Sequence, residues 1–112
     1  MIEWSVSFTN QAELDLREIY TYIAMTLLMP NTATNFIRRI IEGTSKLSMM
    51  PLSYAIYPEE PWMSRGLRHV HIGNYIVFFI PVERSHTVVV IRIIYCGRDI
   101  QQVLEETIDL EE

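Results

Sequence analysis

The chain has 112 residues, 49% of them hydrophobic, and nine basic against fourteen acidic side chains give a formal net charge of −5. That is enough apolar chain to bury one core, which excludes a disordered protein and predicts a single domain over residues 1–112. A lone cysteine, Cys96, excludes an internal disulfide framework; with no basic N-terminal signal and no apolar run near the ~20 residues of a membrane helix, a soluble cytoplasmic protein is expected.

Trp4, Val6 and Phe8 alternate with Ser5, Ser7 and Thr9, the period-two pattern of a half-buried strand. Asn10, three residues before Glu13, reads as the cap of a helix whose apolar side runs Ala12, Leu16, Ile19, Ile23 and Leu27. Pro30 interrupts that helix, and Asn31 or Thr32 is the expected cap of a second. The second helix carries the stripe Ala33, Phe36, Ile37, Ile40, Ile41, Thr44 and Leu47. The short connection predicts an antiparallel hairpin. Residues 50–61, with Pro51, Pro58 and Pro61, read as an extended loop.

Three strands follow. Residues 66–72 form the first, Gly73-Asn74 is a hairpin turn signal, and residues 75–82 are apolar enough for a central strand buried on both faces. Glu83 to His86 make a polar connection to a third strand at 87–95, interrupted only by Arg92. Residues 99–106 add a short helix before an acidic tail at about 105–112. The fold class is α+β: an N-terminal strand, a helical hairpin on one face of a mostly antiparallel sheet, and a short C-terminal helix. The second sheet face is expected to be open to solvent or a partner.

Charge is segregated along this plan. Between residues 65 and 98, Arg65, Arg68, Arg84, Arg92 and Arg98 face one acid, Glu83, whereas residues 99–112 hold six acids and no base. A basic sheet is therefore expected inside an acidic protein. His69 and His71, two apart, share a strand face with Leu67, and Arg68 points to the other face with Val70 and Ile72. The two histidines read either as an acid–base or stacking pair or as solvent-facing side chains. His69, His71 and Cys96 lack a defined fourth ligand, so no metal and no cofactor is expected. Cys96 reads as a small buried residue rather than a nucleophile. Arg92 is either an exposed cation or a buried one in need of an acid, with Asp15 or Glu18 the candidates. Trp62 is a contact residue or a cap under its loop, and the acidic tail is a solvated end or a competitor for the basic sheet.

The phrase AELDLREIYTYI, the Pro30-xx-Ala33 helix start and the run GNYIVFF…VVVIRIIYCGRD together resemble the RelE/ParE superfamily of toxins from type II toxin–antitoxin modules, over about residues 4–104. The resemblance implies the α+β fold and a cognate antitoxin as partner, in a toxin–antitoxin hetero-oligomer. It implies one of two targets. RelE- and YoeB-like members cleave mRNA on the ribosome; ParE-like members bind a DNA gyrase subunit. On the interferase reading the catalytic candidates are Arg65, Arg68, His69, His71 and Arg98. On the ParE-like reading the target-binding candidates are Arg65, Arg68, Tyr95 and Arg98, and an Arg at the position of Arg92 suits a structural pairing. Ile76 stands where interferases carry an arginine, Leu104 where they carry an aromatic, and the single lysine, Lys46, lies on the second helix. A cation aimed at the developing charge is worth ~3 kcal/mol in such a reaction. These departures favour the ParE-like branch, with no enzymatic activity of its own; a degenerate partner-binding member is the third reading.

Overall fold

A computed structural model describes residues 2–107. Strand β1 (Ser5–Phe8) leads into helix α1 (Asn10–Thr21), which continues as one π-helical turn over Tyr22–Thr26; α2 (Pro30–Ser45) returns alongside it. Short 3₁₀ turns at Lys46–Ser48 and Pro51–Ser53 precede β2 (Arg68–Ile72), β3 (Tyr75–Val82), β4 (Thr87–Tyr95) and helix α3 (Ile100–Glu105). The sheet order is β1-β4-β3-β2, antiparallel throughout except that β1 runs parallel to β4. The α+β architecture expected from the sequence is the one observed.

Local chemistry moves several boundaries by a residue or two. The cap of α1 is Thr9, not Asn10: its hydroxyl accepts from the Ala12 amide at 3.1 Å and donates to the Ile91 carbonyl at 2.9 Å, so one side chain starts the helix and ties it to β4. Pro30 does not stand outside α2 but is its first residue, where a missing N–H costs nothing, and the Ala33 amide donates to the Met29 carbonyl at 3.0 Å. Thus neither Asn31 nor Thr32 caps it. Strand β2 begins at Arg68 rather than at residue 66, because Gly66 takes φ +85° in the preceding turn. The loop before it is not wholly irregular: Ile56 bridges Arg68, and Ala55 and Tyr57 bond the outer edge of β2.

The hairpin covers one sheet face, where Ala12, Ile40 and Leu47 pack on Val77, Phe79, Val88, Val90 and Ile93. Ile41, placed on the α2 stripe by its spacing, is 54% exposed at the edge of that contact. The second face is not open. Trp62 from the loop and Val103 and Leu104 from α3 close over Leu67, Phe78, Val89, Ile91 and Ile94. Trp62 is buried and is a core cap, not a contact residue. Each such large apolar side chain contributes ~1.5–3 kcal/mol on burial, so a face of alternating Phe, Ile and Val cannot stay bare.

Candidate functional site

A bulge in β4 organises the region. Phe78 pairs with Arg92 and Phe79 with Val90, which leaves Ile91 as the extra residue and bends the strand where β1 has ended. There α1 takes over the free edge. Asp15 accepts from Arg92 Nε at 2.8 Å, from Arg92 Nη2 at 2.9 Å and from the Ile93 amide at 2.9 Å. Arg92 Nη1 donates to the Thr107 hydroxyl at 3.0 Å. One guanidinium therefore joins α1, β4 and the end of α3. Of the two acids considered from the sequence, Asp15 is the partner.

Beside this clamp, the far end of the hairpin stands off the sheet and leaves a cleft of about 820 Å³. Its apolar side is formed by Ile19, Ile23, Phe36 and Ile93. Tyr22, Tyr75 and Tyr95 line it as well: the Tyr75 ring lies 4.7 Å from Phe36 and 5.5 Å from Tyr95, centroid to centroid. Burial holds the Tyr75 phenol above its ordinary value of 10.0, and Tyr95 and Tyr22 push it the same way, so it enters the cleft as a neutral hydroxyl. Arg39 of α2 and Arg98 after β4 supply positive charge. The β2–β3 turn reaches Arg39 because Gly73, at φ +60°, has no Cβ: one would lie 2.9 Å from Arg39 Nη2. Tyrosine and arginine over an apolar floor are the side chains that dominate protein-recognition surfaces.

The structure brings Tyr95 and Arg98 together in this cleft and places the other sequence candidates elsewhere. Arg65 lies over the Trp62 ring, 5.7 Å from its centroid. Arg68 is on the hairpin-covered face and donates to the Tyr54 carbonyl. His69 and His71 occupy the opposite face, with His69 against Tyr57 and Phe78. Burial lowers the His69 pKa from 6.5 and the neighbouring His71 lowers it further, against a smaller opposing effect from the Ala55 backbone. His69 is thus a neutral, half-buried ring whose Nδ1 has no partner among the described residues. The five arginines therefore do not form one basic face: Arg68 and Arg92 are engaged structurally, Arg65 stacks, Arg84 is exposed in the β3–β4 turn, and Arg98 serves the cleft. Cys96 is exposed, not buried, with Sγ 3.8 Å from His71 Nδ1. Among the described residues no three His, Cys, Asp or Glu side chains converge as a metal site. Leu104 is fully buried in the core.

Tyr22, Arg39 and Phe36 escaped the sequence reading. Arg39 and Phe36 looked like ordinary positions of an amphipathic helix, and Tyr22 owes its place to the π-helical turn, which a 3.6-residue period does not reveal.

Residues 6–100 match the model for the ParE toxin of the type II toxin–antitoxin system parDE. The chain belongs to the ParE toxin family. It is a RelE/ParE superfamily toxin of the type II class. Among solved structures it is similar to the chromosomal ParDE system from P. aeruginosa, at 24% identity and a TM-score of 0.68 over 83% of this chain and 96% of that one. The RelBE2 toxin–antitoxin complex from Mycobacterium tuberculosis aligns at 21% identity and 0.60, over 85% and 93%. The isolated E. coli RelE toxin aligns at 10% and 0.54, over 94% and 99%. Likenesses this remote in sequence establish a shared fold. No curated protein matches the sequence significantly. Among the described residues no helix is long and apolar enough to cross a membrane.

Proposed function

We propose that this toxin acts by binding a subunit of DNA gyrase through the cleft between the hairpin and the sheet, and that a cognate antitoxin neutralises it by covering the same surface. The observation that carries the reading is the composition of the cleft: Tyr22, Tyr75, Tyr95, Arg39 and Arg98 around an apolar floor, next to exposed Leu27 and Met29. These side chains recognise a protein segment well. The family match supports the ParE-like branch over the interferases. So does the distribution of the candidate acid–base groups. His69 and His71 lie on the sheet face away from Tyr95, and neither lines the cleft to which Arg98 contributes, so the candidate acid–base groups and that cation do not share one site. Arg65 and Arg68, also proposed from the sequence as target contacts, are turned to Trp62 and Tyr54, which leaves Tyr95 and Arg98 to carry that role.

The test pairs two assays on the purified chain: gyrase supercoiling, and mapping of transcripts for cleavage phased to codons. Inhibited supercoiling with intact transcripts is expected. Cleavage at the ribosomal A site with normal supercoiling would overturn the reading in favour of an interferase. Neither effect, with normal growth on expression, would leave a degenerate binding module.

A further inference from the structure

Tyr95 and Arg98 enter the cleft from the two ends of one tight turn. The segment Tyr95-Cys96-Gly97-Arg98 is closed by the Arg98 amide, which donates to the Tyr95 carbonyl at 3.0 Å. The Cys96 amide donates to the Asn74 carbonyl at 2.9 Å, so this turn is tied to the one between β2 and β3. Gly97 does not itself line the cleft, yet the Tyr95 ring lies back over it.

A β-carbon on Gly97 would stand 2.5 Å from Tyr95 Cε2, 3.1 Å from Cδ2 and 3.5 Å from Cζ. Non-bonded carbon atoms settle ~3.5–4.0 Å apart, so a side chain here drives the ring back by about 1 Å. The ring is what yields. Tyr95 is 48% exposed, whereas Gly97 lies outside the left-handed region and its backbone accepts an alanine without strain. The ring's neighbour in the cleft is Tyr75, edge-on at 5.5 Å between centroids, and Tyr75 in turn packs on Phe36. A binding site holds its groups to within ~0.5 Å, so a shift of about 1 Å at Tyr95 is enough to break that row. The β2–β3 turn repeats the device, with Gly73 beneath the Arg39 guanidinium.

We propose that Gly97 is a positioning residue of the cleft: its missing side chain lets the Tyr95 ring fold down over the turn and meet Tyr75. The consequence rests on the reading that partners bind in the cleft. With the ring down, Tyr95, Tyr75 and Phe36 form one continuous aromatic wall against which an apolar side chain of the partner segment can lie. With the ring lifted, that wall ends at Tyr75. Gly97 therefore acts on affinity through Tyr95 and hardly at all on stability, because an alanine there also removes freedom from the unfolded chain.

The test compares the parent chain with Gly97→Ala, Tyr95→Ala and the double variant. In the parent, nuclear Overhauser contacts should join the Tyr95 ring to the Gly97 α-protons and to the Tyr75 ring. In Gly97→Ala the contacts to Tyr75 should weaken or vanish, while the urea midpoint stays within about 0.3 M of the parent. Unchanged contacts to Tyr75 would overturn the proposal, and so would a midpoint lowered by more than about 1 M, which would mean that the backbone had yielded instead. Calorimetry with purified gyrase subunits reads the consequence. Binding should weaken at least about threefold in Gly97→Ala, and the same change should do no further harm in a chain that already carries Tyr95→Ala, since both act on one contact. An equal loss in both backgrounds would contradict a role exerted through the ring. If the parent binds no gyrase subunit, the proposed target falls and the ring contacts alone decide the role of Gly97. If the parent binds, and Gly97→Ala binds equally well with its ring displaced, the target stands and the positioning role falls.

Discussion

Replacing Asp15 with alanine removes three hydrogen bonds at once: two from the Arg92 guanidinium and one from the Ile93 amide. The two side chains are 8% and 13% exposed, so the cation left behind has little water to turn to. Removing one partner of a buried pair costs about 3–5 kcal/mol, and an orphaned buried amide costs ~1–3. The remaining bond from Arg92 to Thr107, and some solvent at its rim, hold the total to about 3–4 kcal/mol. Equilibrium urea unfolding followed by tryptophan fluorescence reads this directly: with a slope of about 1.5 kcal/mol per molar, the midpoint falls by roughly 2 M. The double variant Asp15→Leu with Arg92→Met should recover more than half of that, since apolar groups of similar size often replace a buried ion pair at little cost. A midpoint for Asp15→Ala within about 0.5 M of the parent would refute the clamp, because losses that small belong to exposed pairs.

Three further perturbations probe other parts of the fold. Burial lowers the His69 pKa below 6.5, so the folded state favours the neutral ring; the stabilisation is complete above pH 6.5 and is lost as pH falls toward the folded pKa. Melting temperature followed from pH 8 to 5 should decline less steeply in His69→Gln than in the parent, and parallel curves would exclude His69 as the source. Gly73→Ala places a β-carbon at φ +60° and against Arg39, for a loss of about 1–2 kcal/mol in urea unfolding; Gly73→Asn, which tolerates that backbone better, should lose less. Leu104→Ala should cost ~2–5 kcal/mol by the same measurement if α3 closes a core, whereas a loss under about 0.5 would mark it as a surface helix.

The elements were legible in the sequence because their signals are local. Strand alternation at residues 4–9, the α2 stripe and the Gly73-Asn74 turn each depend on neighbours a few positions apart. The arginine clamp was legible for a different reason: a cation inside an apolar strand must find an acid, and α1 supplied two candidates. What failed were inferences about which surfaces remain free. The second sheet face looked open because nothing local shows that Trp62 folds under its loop, or that Val103 and Leu104 come back over Phe78 and Ile94. The basic sheet dissolved for a related reason, since net charge along a strand does not say which arginines are already engaged. The cleft itself was invisible, being made of residues as far apart in sequence as Tyr22, Arg39, Tyr75 and Arg98, and shaped by a π-helical turn. Of the expected acidic tail at about 105–112, residues 108–112 lie outside the described residues.

Direct binding to purified gyrase subunits, by calorimetry with the parent chain and with Tyr95→Ala and Arg98→Ala, tests the central claim most closely. Both side chains are exposed, so the variants should fold as the parent does. The expected result is binding by the parent and a loss of at least about tenfold in each variant, or 1.4 kcal/mol or more. Undiminished binding by both variants, or a loss produced instead by Arg65→Ala, would contradict the cleft as the working surface.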